Sequence, residues 1–393
     1  MKCNYAGSIA MLIVGCLAGC ASAPSGPQSG ARLMLSGNDG KLPMIDGAYK
    51  VADAPVADTM TVIDVSSFPP KKLAEIEIQH TVTAPPMTIA ITADEKLALV
   101  SAPNRVDPKD KTKVATDNYM QIVDLEASPP RIIDRVDLGR HPLGVSVNRA
   151  GTLALAAHLD GNISVLSIQG KTVKLVETVK IGEPSSTPRQ VAITPDGKWA
   201  LATKRGEDVV AVLAIDGTKV TYTKRDISAG NNPYGLEISR DGRFAAVANV
   251  GRGDGSNDSM TVIDLTRQPF RAVDYVTVGQ GPEGIAVSPD SQWIAVLNQN
   301  GTNRTKDSPF RTESSLLMLF SVKDGKATKV AEVLTGGHNA QGVNFTPDGN
   351  YIVVQNYVQK ELVFYRVTGT GLTDSGHRIP VPGYPAGLRT SLQ

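Results

Sequence analysis

Three polar side chains, Arg189, Tyr234 and Glu283, occupy equivalent places in a recurring pattern, each directly after a proline. Gln341 takes the same place after an alanine. Arginine binds an anionic or carbonyl oxygen through paired hydrogen bonds, and tyrosine offers a flat apolar face with a hydroxyl at its tip. Glutamate accepts hydrogen bonds or acts as a general base. Together these residues predict a site for a ligand with a polar end.

The other copies of the pattern carry apolar residues at this place, namely Ala386, Met87 and Leu143. A purely structural position tends to repeat one residue type, so the division into a polar and an apolar half favours binding of an organic ligand or a peptide. Ordinary variation at solvent-facing loop starts is the alternative interpretation.

Four of the five histidines fall on the same predicted face as these residues: His80, His141, His158 and His338. His141 and His158 belong to one repeat and are expected to be neighbours, which makes an acid–base site or a metal site conceivable. Loop histidines that cap backbone groups are the simpler interpretation.

Other chemistry is largely excluded. The three cysteines are residues 3, 16 and 20, so the body of the chain has no disulfide, thiolate metal site or cysteine nucleophile. It has no Walker loop, nucleophile elbow, zinc motif or haem-attachment motif. The run 254–258 lacks the spacing and closing glutamate of a calcium loop and is interpreted as a surface turn. We expect no metal and no cofactor.

A repeat of four short strands must position these residues. Copies begin at Pro86, Pro142, Pro188, Pro233, Pro282 and Ala340, roughly 45 to 58 residues apart, a period typical of propeller blades. Each copy has a strand, a turn of the Pro-Asp-Gly type and further β-rich runs. The sequence therefore predicts an all-β, seven-bladed β-propeller with four-stranded blades.

The ends of the chain complete one another. Residues 385–389 resemble the first strand of a repeat, and residues 32–36 resemble a second strand with no first strand before it. We expect the C-terminal strand to pair with the N-terminal blade, because this closes the ring and hides two sheet edges.

The repeat resembles the seven-bladed propellers that carry the Tyr-Val-Thr-Asn signature. Ala246-Val247-Ala248-Asn249 stands where the signature falls, and residues 282–290 resemble the opening strand and turn. The resemblance covers residues 31–390 and extends to lactonase-like propellers similar to 6-phosphogluconolactonase. It implies the fold and leaves the role open, because such repeats occur in proteins of unrelated function.

Strand direction sorts the loops into two faces. The long insertions 37–58, 103–118, 250–258 and 299–314 share a face with the polar positions, and long loops on a rigid scaffold commonly carry binding sites. Asn249, Asn298 and Asn356 recur at the end of the second strand, where side-chain-to-backbone turns are expected.

The first thirty residues indicate export and a lipid anchor. Lys2 precedes an apolar run that is too short to span a bilayer comfortably and typical of a signal peptide over residues 1–19. Leu17-Ala18-Gly19-Cys20 resembles the lipobox of bacterial lipoproteins, which implies lipidation of Cys20 and a flexible tether over 20–30. Ala21, in place of Asp, favours the outer membrane facing the periplasm. Ordinary secretion, with cleavage at Ala18 or Ala23, is the alternative.

Two functions follow for residues 31–393. The first is a ligand- or protein-binding scaffold in the cell envelope, whose partner is a small molecule or an envelope protein. The alternative is a lactonase-type hydrolase of a small sugar-derived ester, for which Arg189, Lys204 and Arg205 are the candidate basic residues. A net charge of +1 argues against nucleic acid, and we expect a monomer.

Overall fold

The computed structural model describes residues 1–2, 32–369 and 371–391. The predicted signal peptide from residue 3 on, Cys20 and the tether lie outside the described residues. No described helix is long and apolar enough to cross a membrane.

Seven four-stranded antiparallel sheets, the blades, make up the described chain. From the centre outward, blade 1 contains Tyr384–Thr390, Leu33–Asp39, Thr59–Asp64 and Lys71–Glu77; blade 2 contains Ile89–Ile91, Leu97–Val100, Tyr119–Asp124 and Arg131–Asp137; blade 3 contains Pro142–Val147, Leu153–His158, Asn162–Gln169 and Thr172–Lys180; blade 4 contains Pro188–Ile193, Trp199–Lys204, Val209–Asp216 and Lys219–Ser228. Blade 5 contains Pro233–Ile238, Phe244–Asn249, Ser259–Asp264 and Arg271–Thr277; blade 6 contains Pro282–Val287, Trp293–Asn298, Leu316–Lys323 and Lys326–Leu334; blade 7 contains Val343–Phe345, Tyr351–Asn356, Glu361–Thr368 and Gly371–Pro380.

Two short strand pairs and two 3₁₀ turns lie on one face of the described ring. Met44–Ile45 pairs with Ala48–Tyr49, and Asn104–Val106 pairs with Val114–Thr116. Single 3₁₀ turns cover Pro184–Ser186 and Arg205–Glu207. The first long insertion spans 40–58 and not 37–58, because the second strand of blade 1 continues to Asp39.

The predicted ring closure is confirmed. The strand Tyr384–Thr390 pairs antiparallel with Leu33–Asp39, in a register that runs from Met34 opposite Thr390 to Asp39 opposite Tyr384. Leu388 is buried against Met34 in the interface between blades 7 and 1. Both ends of the described propeller are therefore locked into one blade.

The core is a ring of apolar layers, one between each pair of neighbouring blades. Ala246 and Val247 are adjacent in one strand and both fully buried, yet Ala246 packs toward blade 6 and Val247 toward blade 4. A strand covered on both faces gains from apolar residues at every position. This explains why the second strands read as continuous apolar runs.

The turns between first and second strands share a hydrogen-bond arrangement. In blade 4 the Thr194 hydroxyl donates to Asp196 Oδ1 at 2.5 Å and accepts the Trp199 N–H at 3.1 Å. Thr92, Ser239, Ser288 and Thr346 do the same in blades 2, 5, 6 and 7. The repeated hydroxyl-x-Asp pattern therefore fixes the turns on the face opposite the insertions.

Candidate functional site

Backbone contact between inner strands brings the polar positions together. A Cβ on Gly235 would lie 2.6 Å from the Glu283 carbonyl oxygen, and a Cβ on Gly284 would lie 2.6 Å from that of Gln341. Such distances exclude any side chain, so glycine alone lets each inner strand approach the first residues of the next blade. The seven positions consequently crowd around the central channel.

The structure places Arg189, Tyr234 and Glu283 at one mouth of the channel, which we call the upper mouth. The Arg189 guanidinium carbon lies 5.6 Å from the centre of the Tyr234 ring, and that of Arg205 lies 5.7 Å from the same ring. The negative face of an aromatic ring attracts cations. Tyr234 therefore holds two guanidinium groups beside each other, and its own side chain is buried.

Glu283 is the chemically distinctive group of the upper mouth. Burial raises the pKa of its carboxyl to about 7, although Arg205 and Arg189 and the side-chain amides of Gln299 and Gln341 favour the charged form. A carboxyl that exchanges its proton near neutral pH is suited to general-base catalysis.

Several polar atoms around Glu283 are buried without a hydrogen-bond partner among the described residues. They are Nε of Arg189 and Arg205, which are donors, and Oε1 of Gln280 and Gln341, which are acceptors. Native structures rarely leave such atoms unpaired. The set fits a ligand that offers acceptor oxygens toward blade 4 and donor hydroxyls toward blades 6 and 7.

A side cleft leads from the surface to Glu283. It has a volume of about 280 Å³ and runs between the upper loops of blades 5 and 6, past Asn232, Arg252, Gln299 and Arg304. Sequence reasoning did not single out Arg252, Arg304 or Gln299. Their side chains lie on the long insertions 250–258 and 299–314, whose length was the available signal.

The apolar half of the predicted rim is packed. Met87, Leu143 and Ala386 are all buried, and Met87 reaches across the channel, since a Cβ on Gly235 would lie 3.4 Å from its methyl carbon. These residues form an apolar wall that closes the channel beside the polar arc, rather than a second row of ligand contacts.

The hairpin Met44–Tyr49 covers the upper mouth as a lid. The Asp46 carboxylate accepts the Lys306 N–H at 2.7 Å, so the lid of blade 1 reaches the insertion of blade 6. The Tyr49 hydroxyl accepts a hydrogen bond from Asn339 Nδ2 at 2.9 Å and lies 3.5 Å from Gln341 Nε2. Neither Tyr49 nor Asn339 was predicted from the sequence, because their neighbours come from distant parts of the chain.

The histidines lie apart from this arc and have structural partners. His158 Nδ1 is 2.9 Å from the His141 carbonyl and its Nε2 is 2.8 Å from Ser164 Oγ, while His141 Nδ1 is 2.8 Å from the Asp117 carbonyl. His338 contacts the Glu313 carbonyl at 3.0 Å, and His80 is fully buried against Thr88. His141 and His158 are neighbours as expected, but the structure brings none of these four rings to Glu283.

The remaining candidates are also accounted for. Lys204 pairs with Glu207 at 2.7 Å and Asp226 at 3.1 Å. The recurring asparagines Asn249, Asn298 and Asn356 are buried and link strands, as in the bond from Asn298 Nδ2 to the Leu316 carbonyl at 3.2 Å. The described residues contain no His, Cys, Asp and Glu cluster able to hold a metal ion.

The family model described as "Lactonase, 7-bladed beta-propeller" matches residues 156–251, which include Arg189, Arg205 and Tyr234. The fold is that of a lactonase-type seven-bladed propeller. A comparison with curated protein sequences found no match.

Solved structures extend the likeness to the whole ring. A proposed 6-phosphogluconolactonase from Bacteroides uniformis is 18% identical, with 92% of this chain and 99% of that one covered and a TM-score of 0.69. The corresponding protein from Bacteroides fragilis is 19% identical, with coverage of 94% and 99% and a TM-score of 0.69. The periplasmic gluconolactonase of Pseudomonas aeruginosa is 18% identical, with coverage of 91% and 98% and a TM-score of 0.67. At these identities the likeness concerns the fold.

Proposed function

We propose that this lactonase-type propeller binds a small, hydroxylated, anionic lactone at the upper mouth and hydrolyses its cyclic ester. The observation that carries the proposal is Glu283, a carboxyl with a pKa of about 7 beside two guanidinium groups in a cleft open to the surface. The lactonase-like family match and the gluconolactonase structure of similar fold support the reaction class.

The chemistry follows from the positions of the side chains. The Glu283 carboxylate takes a proton from a water molecule, whose oxygen attacks the lactone carbonyl carbon. Arg189 stabilises the negative charge that develops on the carbonyl oxygen. The ring C–O bond then breaks, and the leaving oxygen takes the proton back from Glu283. One lactone and one water give one hydroxy acid.

The charges around the cleft indicate the substrate class. Arg205, Arg252 and Arg304 line the path to Glu283, and guanidinium groups recognise carboxylates and phosphates. The partnerless amide oxygens of Gln280 and Gln341 call for hydroxyl donors. A sugar-derived lactone that bears an acidic group supplies both.

Ligand binding without turnover is the second candidate. The partnerless buried donors and acceptors at the upper mouth are recognition groups in their own right. No histidine of the described chain approaches Glu283 to share the proton transfer. A scaffold or sensor that binds a sugar acid would use the same residues.

Hydrolysis of D-glucaro-1,4-lactone, a sugar-derived lactone that bears a carboxylate, by the purified protein tests the proposal, with the Glu283→Gln variant as the decisive comparison. We expect the variant to lose at least about 100-fold in kcat, since general-base catalysis contributes roughly 10²–10⁴-fold. Glu177→Gln, on the exposed outer strand of blade 3, is the matched control and should retain activity. D-gluconate binding with no turnover of lactones by the wild type would favour the second candidate.

We further propose that the protein acts in the cell envelope, held by a lipid on Cys20. The lipobox-like sequence at residues 17–20 supports this location, as does the fold likeness to the periplasmic gluconolactonase of Pseudomonas aeruginosa. Mass spectrometry of the mature N-terminus should detect a lipidated Cys20 in the wild type and none in Cys20→Ser. An unmodified wild-type chain that starts at residue 19 or 24 would contradict the anchor.

A further inference from the structure

We propose that Tyr49 is a specificity-determining residue of the upper mouth, with its lid-borne hydroxyl donating a hydrogen bond to an oxygen of the bound ligand. This inference rests on the proposed function, and it adds a contact that belongs to neither the repeat pattern nor the blades.

The position of Tyr49 is fixed from both sides. Its ring packs edge-on against the buried ring of Tyr357, with centroids 5.8 Å apart, and the Tyr357 hydroxyl donates to the Leu42 carbonyl at the base of the lid. At the tip of the lid, the Asp46 carboxylate accepts a hydrogen bond from the Lys306 backbone N–H. The side chain is therefore held at the upper mouth.

The base of the lid is tied by a buried ion cluster. Lys41 Nζ lies 2.7 Å from Asp58 Oδ2 and 3.3 Å from Asp39 Oδ1, and the Asp58 carboxylate also accepts the Gly40 N–H at 2.7 Å. Asp39 and Asp58 stand at the two ends of the 40–58 insertion. The cluster thus closes the insertion at its root, which limits the freedom of the hairpin above it.

The hydrogen bonds of Tyr49 leave its proton unused. The amide nitrogens of Asn339 and Gln341 both donate toward the hydroxyl oxygen, and no acceptor among the described residues takes its proton. Burial, and next the negative charge of Glu283, raise the pKa of Tyr49 well above its ordinary value. The hydroxyl is consequently a donor throughout the neutral pH range.

The surroundings define which part of the ligand this donor meets. Going round the ring, the guanidinium groups of Arg189 and Arg205 lie at blade 4 and Glu283 lies at blade 6. The Tyr49 hydroxyl, from the insertion of blade 1, lies against Asn339 and Gln341 of blade 7. Tyr49 therefore stands on the flank of Glu283 away from the arginines. An acceptor there, such as the ring oxygen or a hydroxyl of a sugar acid, would be bound by a neutral donor.

The test compares D-gluconate binding to wild-type protein, Tyr49→Phe, Asp46→Ala, Arg189→Ala and Tyr275→Phe by isothermal titration calorimetry. Tyr49→Phe keeps the ring and the lid packing, and we expect about two- to tenfold weaker binding, the usual effect of one neutral hydrogen bond. Asp46→Ala measures the effect of loosening the lid at its tip. Tyr275→Phe makes the same change on the exposed outer strand of blade 5 and is the matched control, with binding within about twofold of wild type.

The outcomes separate this inference from the proposed function. If Tyr49→Phe binds like wild type while Arg189→Ala binds at least tenfold more weakly, the site stands and Tyr49 is a packing residue only. If Asp46→Ala and Tyr49→Phe lose affinity equally, closure of the lid is responsible and the hydroxyl contact is wrong. A wild type that does not bind D-gluconate would overturn the proposed ligand class together with the contact.

Discussion

A single carboxyl governs the expected pH response at the upper mouth. In the proposed reaction, the Glu283 carboxyl can accept a proton from water only in its charged form, and burial raises its pKa to about 7. An exposed glutamate would be charged from about pH 5 upward. The burial that makes Glu283 a stronger base therefore also confines its action to neutral and alkaline pH.

We predict that kcat/KM for lactone hydrolysis rises with pH and levels off above about pH 7. The rise reports ionisation of Glu283 in the free enzyme, and the profile is measured from initial rates between pH 5 and 9, with the spontaneous hydrolysis of the lactone subtracted. Residual activity of Glu283→Gln should lack this inflection. An inflection retained in the variant would assign the general base to another group.

A second residue-scale prediction concerns His158. Its Nδ1 donates to the His141 carbonyl, so Nε2 accepts from the Ser164 hydroxyl and the ring is neutral. Burial lowers its pKa to about 4. Below about pH 6.5 this histidine binds a proton in the unfolded chain, whereas in the folded protein it stays neutral down to about pH 4. The stability that it contributes is therefore lost as pH falls from 6.5 toward 4.

His158→Gln should therefore be destabilised relative to wild type at pH 7 and less so at pH 5. The difference in unfolding free energy should shrink by up to about 1.4 kcal/mol per pH unit within this window, as measured by urea denaturation. A constant difference from pH 7 to pH 5 would show that His158 is not held neutral.

At the scale of the element, close approach of inner strands decides which positions need glycine. Gly284 has a normal backbone conformation, yet a Cβ there would lie 2.6 Å from the Gln341 carbonyl and 3.0 Å from a Val343 methyl. The Pro-x-Gly repeat was visible in the sequence. The reason for its glycine was not, since the atoms that crowd it belong to the next blade.

Gly284→Ala should reduce the unfolding free energy by about 1–3 kcal/mol, the usual cost of forcing an extra carbon into a packed site. Gly369→Ala is the matched control, because a Cβ at Gly369 meets no atom within 4 Å. Thermal unfolding of both variants measures the difference. Equal melting temperatures for the two variants would mean that the inner strands are more loosely packed than the structure indicates.

The candidate site likewise combines residues that the sequence predicted with residues that it did not. The strand repeat predicted that Arg189, Tyr234 and Glu283 share one mouth, because residues in equivalent positions of neighbouring blades must lie close together. It could not predict Tyr49 or the lid, because the sequence shows how long an insertion is but not how it folds. The repeat predicts Met87 on the rim of the channel, and nothing local to it in the sequence shows that it crosses the channel.

At the scale of the whole molecule, stability depends on closure. The repeat period and the complementary ends of the chain were sufficient to predict seven blades and the composite blade. Removal of residues 384–393 should lower the melting temperature well beyond the effect of trimming an exposed terminus. The deletion removes the ladder with Leu33–Asp39 and the buried Leu388, whose side chain alone contributes about 1.5–3 kcal/mol.

Leu334→Ala provides the reference for this deletion. Leu334 is 61% exposed at the end of an outer strand, so the substitution should lower the melting temperature only slightly. The measurement is thermal unfolding by circular dichroism. A deleted protein that melts with the wild type would contradict the closed ring.

The composite blade also sets the order in which the molecule can be assembled. Leu33–Asp39 emerges early during synthesis, and its inner partner Tyr384–Thr390 emerges at the very end of the propeller sequence. Every blade between them can form from neighbouring stretches of chain, but the first blade must wait. A nascent chain therefore cannot complete its most distant contact until synthesis of the propeller is finished. The last strand to be made is the one that commits the protein to its final shape.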